Sequence, residues 1–127
     1  EEIKLMKNKI LAALLITFCT SSFAQQIPEK YARDLDKITQ QYSQDMRDFL
    51  KSLPPTTVQF DSQQKNKYCS IVATYVDDFY QLTNKNRDSL PFSYANITKQ
   101  DVINKVKQSK EMQILKDYNI QCDLNQN

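Results

Sequence analysis

An all-α bundle stapled by one disulfide is the fold this sequence predicts, and three observations predict it. Apolar residues recur every three or four positions through most of residues 25–127. No stretch alternates convincingly between apolar and polar, since Thr57-Val58-Gln59-Phe60 is too short to build a sheet. Two widely separated cysteines, Cys69 and Cys122, remain once a leader over residues 1–24 is set aside. The expected body is therefore one domain, residues 25–127, of three long or medium helices plus a short C-terminal helix.

The first helix is expected from about Pro28 to Leu53. Tyr31, Leu35, Ile38, Tyr42, Met46 and Phe49 form one stripe along it, with Gln, Asp, Lys and Arg on the other faces. Proline at position 28 suits a first turn, and Pro54-Pro55 terminate the helix. Arg33 is within helical reach of Glu29 and Asp36. A short linker leads to a second helix, capped by Asp61 or Ser62 and running to about Asn84. Tyr68, Ile71, Val72, Tyr75, Val76, Phe79 and Leu82 share one side of it, and Cys69 and Tyr80 widen that side to about half the circumference. Apolar coverage that wide marks the central helix.

Residues 85–96 connect onward without glycine and contain Pro91. Thr98-Lys99-Gln100-Asp101 reads as a capping box, with Ile97 and Val102 at the staple positions and Val102, Ile103 and Val106 facing inward. The apolar face then jumps to the opposite side, so Ser109 is expected to cap a separate short helix carrying Met112, Ile114, Leu115 and Tyr118. In a chain with no glycine, Asn84, Asn86 and Asn119 are the natural left-handed helix ends.

The leader has its own grammar. Glu1 to Leu5 are read as an upstream extension ahead of Met6. Lys7 and Lys9 precede a mostly apolar run from Ile10 to Phe18, and Ser22-Phe23-Ala24 offers a cleavage site before Gln25, giving a bacterial type of signal peptide. From Ile10 to Phe23 there are 14 residues, short of the roughly 18 a bilayer span requires, so no stable membrane anchor survives cleavage. The product is expected in the periplasm or outside the cell. There Cys69 and Cys122 have one intramolecular pairing, closing a loop of about 53 residues, worth about 4 kcal/mol in the chain-entropy model.

Composition excludes much chemistry. The chain has no glycine and no histidine, which removes glycine-rich phosphate loops and histidine-activated nucleophiles. Without the leader, Lys+Arg outnumber Asp+Glu by one, giving no reason to expect a nucleic-acid partner. No metal or other cofactor is expected. The acid pair Asp77-Asp78 falls on the polar side of the central helix and is read as solvated. Nothing else supplies a poised base, so an enzyme is not expected. Phe92 and Tyr94 lie in Leu90-Pro91-Phe92-Ser93-Tyr94, away from the helix stripes, and mark a candidate partner-binding loop; the alternative is that both seal the bundle's end.

One arrangement resembles a family. Tyr68-Cys69 opens a helical stretch that continues through Ile71-Val72-Ala73-Thr74-Tyr75. A helix from Thr98-Lys99-Gln100-Asp101-Val102-Ile103 to Val106 follows, then a short helix and a closing Cys122. Over residues 68–122 this is similar to the small periplasmic immunity proteins that neutralise peptidoglycan-amidase effectors of type VI secretion. The chain departs from them in having no glycine after the first cysteine, no third cysteine in the loop, and a long first helix without counterpart. The resemblance implies a helical, disulfide-bearing protein that binds a peptidoglycan hydrolase in its active-site cleft, and leaves a homodimer open; no contact residue is carried over. The expectation is thus an exported helical protein acting by protein binding. The alternative is an envelope structural protein or an acid-stress chaperone, whose carboxylates would neutralise below about pH 3.

Overall fold

A computed structural model describes residues 26–125. The upstream extension, the signal peptide and its cleavage site before Gln25 lie outside the described residues. Five α-helices follow in order: α1 (Glu29–Ser52), α2 (Ser62–Lys85), α3 (Phe92–Ala95), α4 (Lys99–Lys107) and α5 (Lys110–Asp117), with a 3-10 turn at Arg87–Ser89. No strand occurs among the described residues, and the fold is all-α.

Local chemistry sets nearly every boundary. Pro28 sits just outside α1 and its carbonyl accepts from Ala32 N at 3.0 Å. At the other end Leu53 turns extended (ψ 137°), as a residue before proline must. Asp61 caps α2 in a reciprocal box: its carboxylate accepts from Gln64 N at 2.8 Å, while Asp61 N donates to Gln64 Oε1 at 2.9 Å. Thr98 and Asp101 repeat the device at α4, and Ser109 accepts from Met112 N to open α5. Asn119 takes φ 61° and ends α5 in the left-handed region, as expected. Asn84 and Asn86 do not: Asn84 is still inside α2, and Asn86 (φ −108°) passes directly into the 3-10 turn through Ser89 N→Asn86 O.

α2 is the central helix. It packs along α1 on one side and α4 on the other, and also touches α3. Val72 and Val76 are sealed from solvent between them, each burial worth roughly 1.5–3 kcal/mol. At the α1–α2 turn, Phe49, Phe60 and Tyr68 form an aromatic triangle with centroids 5.4–6.0 Å apart. Met112 of α5 covers it, its sulfur accepting from the Tyr68 hydroxyl at 3.3 Å. At the opposite end the Tyr31 hydroxyl meets buried Thr83 at 2.8 Å.

Cys69 and Cys122 are bonded, with their Cα atoms 5.3 Å apart. The bridge lies inside a feature that helical periodicity did not announce. After Asn119 the chain runs extended, burying Ile120, Cys122 and Leu124 while exposing Gln121, Asp123 and Asn125. That period of two is the signature of extended backbone against one surface, and the disulfide holds its middle residue on α2.

Candidate functional site

The segment between α2 and α4 is organised by one side chain. The guanidinium of Arg87 donates through Nη1 to Ala95 O (2.5 Å), through Nη2 to Ile97 O (2.9 Å) and through Nε to Asn84 Oδ1 (2.8 Å). It also lies 5.7 Å over the ring of Tyr80. Four contacts from a rigid fork fix the return of the chain without glycine. Pro91 then opens α3, accepting from Tyr94 N at 2.8 Å.

On this support the two sequence-selected aromatics part company. Phe92 is 81% exposed, so it does not seal the bundle's end. Tyr94 is half-buried. Both belong to a one-turn helix rather than to irregular loop, because the Arg87 bonds and the proline at its start close that turn. Arg87 itself was invisible to pattern reading, since it stands in a polar run with no periodicity.

Tyr94 leads into a groove. α1 and α4 both pack on α2 but barely touch each other. A cleft of about 470 Å³ opens between them, walled by Thr39 and Tyr42 of α1 and by Lys105 and Val106 of α4, with Tyr75 of α2 as floor. A second reach of about 350 Å³ continues past Tyr75 and Phe79 to Tyr94 and Ile97. The two share Tyr75, Lys105 and Val106, so they are consecutive parts of one groove. Tyr42 and Tyr75 stack with centroids 4.6 Å apart, and Tyr75 meets Phe79 at 6.2 Å. Burial pushes the Tyr42 phenol above its ordinary pKa, and the Glu111 carboxylate at the groove's end adds to the effect. The Tyr42 phenol is therefore a neutral hydrogen-bonding group on an apolar wall.

The α1 stripe read from sequence reaches the groove through Tyr42. Its ends, Tyr31 and Phe49, are buried as expected, but Leu35, Ile38, Tyr42 and Met46 are only half-buried. α4 spans nine residues and packs on α2 and α5 rather than on α1, and Tyr42 of that stripe lines the opening between them.

The acid pair splits. Asp78 is exposed, as expected, but Asp77 reaches Lys99 Nζ at 2.6 Å and is half-buried, so the reading of both as solvated is corrected. The wheel placed Asp77 away from the core correctly; it could not show that the start of α4 lies across that flank. Elsewhere, Arg33 chooses Glu29 for its ion pair, and Asp36 accepts instead from Gln40. Among the described residues no three His, Cys, Asp or Glu side chains converge as a metal site would require. No described helix is long and apolar enough to cross a membrane.

Comparison with protein-family models, with curated proteins and with solved structures gives no match for this chain.

Proposed function

We propose that this chain is an exported protein that works by binding another protein, and that its sharpest role is to neutralise a peptidoglycan hydrolase in the periplasm. One observation carries the reading: Phe92 is held almost fully in solvent on a helical turn that Arg87 bolts to the scaffold. Exposing a phenylalanine forgoes about 1.5–3 kcal/mol of burial. A rigid, outward aromatic is also what dominates protein interfaces, because little conformational freedom is lost when it docks. The Cys69–Cys122 bridge is compatible with an oxidising compartment, and the leader pattern over Met6 to Ala24 supports the same address.

The test is co-export with a cell-wall hydrolase encoded beside the gene. Cells producing both are expected to survive, and Phe92→Ala is expected to abolish protection while leaving the unfolding midpoint unchanged. Lysis despite equal export of both proteins, with no complex recovered, would overturn the reading. The mass of the exported product checks the address independently, since it should begin at Gln25.

A further inference from the structure

The groove between α1 and α4 has the form of a bundle with one helix missing. α1, α2 and α4 supply three sides of the upper reach, with α2 as floor, and the lower reach continues between α2 and α4 to Tyr94 of α3. We propose that this groove receives an amphipathic α-helix of the partner protein, carrying a carboxylate within its apolar face. The proposal rests on the protein-binding reading above and names the second element of the partner that Phe92 would engage.

Three properties select that occupant. The first is shape: α4 is nine residues long, about 13 Å along its axis, and its groove is divided into two apolar reaches on either side of Lys105. A docked helix places large side chains one turn apart on one face, which suits two such reaches in line. The second is the spacing of the walls: Thr39 and Tyr42 on α1, and Val102 and Val106 on α4, stand one turn apart, the ridge spacing that meshes with another helix. The third is charge. Lys105 borders both reaches and makes no ion pair or hydrogen bond with any described residue. Asp101, the acid nearest it in the lower reach, has its carboxylate committed to Thr98. Glu111 closes the upper end. A partner helix with a carboxylate opposite Lys105, and a basic or amide side chain further along toward Glu111, complements both.

Photocrosslinking in cells that produce the full chain separates this from the broader reading. p-Benzoylphenylalanine is placed at Thr39, an exposed position on the groove wall, and in a second strain at Phe92. Both strains are expected to label one protein. From Thr39 the label should fall on a segment with apolar residues at i, i+3 or i+4, and i+7 and an Asp or Glu between them. Lys105→Glu should weaken that complex by about tenfold or more, without moving the unfolding midpoint. Changing the partner's carboxylate to Lys should restore it. Labelling from Phe92 with none from Thr39 would refute the groove while leaving the protein-binding reading intact. So would a Thr39 label on a second copy of this chain or on an extended segment. Absence of any label from either position would refute both.

Discussion

The hydroxyl of Tyr31 lies 2.8 Å from Oγ1 of Thr83, joining the first turn of α1 to the last turn of α2. Thr83 spends its own proton on Phe79 O (2.9 Å), so Tyr31 is the donor. Both side chains are fully closed to solvent, which makes this the polar latch of the hairpin's open end. Removing the two halves should therefore not cost the same. Tyr31→Phe leaves Thr83 still bonded and should cost about 1 kcal/mol. Thr83→Val strands the Tyr31 hydroxyl and should cost about 1–3 kcal/mol. Urea unfolding of the two variants measures the difference, and equal losses would show that the bond has no direction.

The disulfide should dominate the stability of so small a body. With its cysteines 53 positions apart, its removal in Cys69→Ser/Cys122→Ser should cost about 4 kcal/mol. Small domains hold about 5–15 kcal/mol in all, so the variant should sit near its unfolding transition at 37 °C. Differential thiol labelling of the unfolded oxidised protein gives the complementary check: neither Cys69 nor Cys122 should react before reduction.

Stability should fall on both sides of neutrality, for different groups. The Thr98 hydroxyl and backbone N–H hold the Asp101 carboxyl below the ordinary Asp value. The unfolded chain therefore takes up that proton first as acid is added. The contribution is whole above about pH 4 and is lost as pH falls through the lower, folded value. Asp34, held down chiefly by the Lys30 ammonium, behaves alike. Burial raises the Tyr68 phenol, with Tyr42 and Glu111 adding to it. Here the unfolded chain loses its proton first, so this contribution is present below about pH 10 and is lost as pH climbs toward the folded value. Thermal midpoints against pH should flatten on the acid side in Asp101→Asn and on the basic side in Tyr68→Phe.

Arg87→Lys keeps the charge but cannot serve Ala95 O, Ile97 O and Asn84 Oδ1 together. Amide exchange over residues 88–98 is expected to quicken about tenfold or more, from a local loss of about 1.5–3 kcal/mol. Exchange at the middle of α1 and α2 should be unchanged. Uniform acceleration throughout the chain would show that Arg87 supports the whole bundle instead.

The Asp77–Lys99 pair, at 2.6 Å with both side chains about one-third exposed, should couple by less than about 1 kcal/mol in a double-mutant cycle. That coupling should shrink in 1 M salt. A larger, salt-insensitive value would mean that the start of α4 shields it from water.

Helix positions were legible because caps and prolines act locally. Asp61, Thr98 and Ser109 each bond a backbone N–H three residues ahead, so a short window of sequence contains the whole interaction. The cysteine pairing was legible because exclusion left two candidates. What escaped depends on residues distant in sequence. Arg87 finds its acceptors only after the chain has turned back, and Asp77 finds Lys99 only once α4 lies beside α2. Thr83 looks like one more polar residue until Tyr31 arrives from 52 positions away. The groove follows the same logic. Periodicity shows that α1 has an apolar stripe, but not that α4 packs on α2 without closing against α1.

The alternating segment from Ile120 to Leu124 has a bearing on biogenesis. It is synthesised after every helix described, yet it supplies Ile120, Cys122 and Leu124 to the buried cluster and the second sulfur of the bridge. Until it arrives, Cys69 remains a thiol on a helix whose hydrophobic flank is uncovered. The fold is thus completed only when Ile120 to Leu124 reach α2, after the helices they pack on have been made.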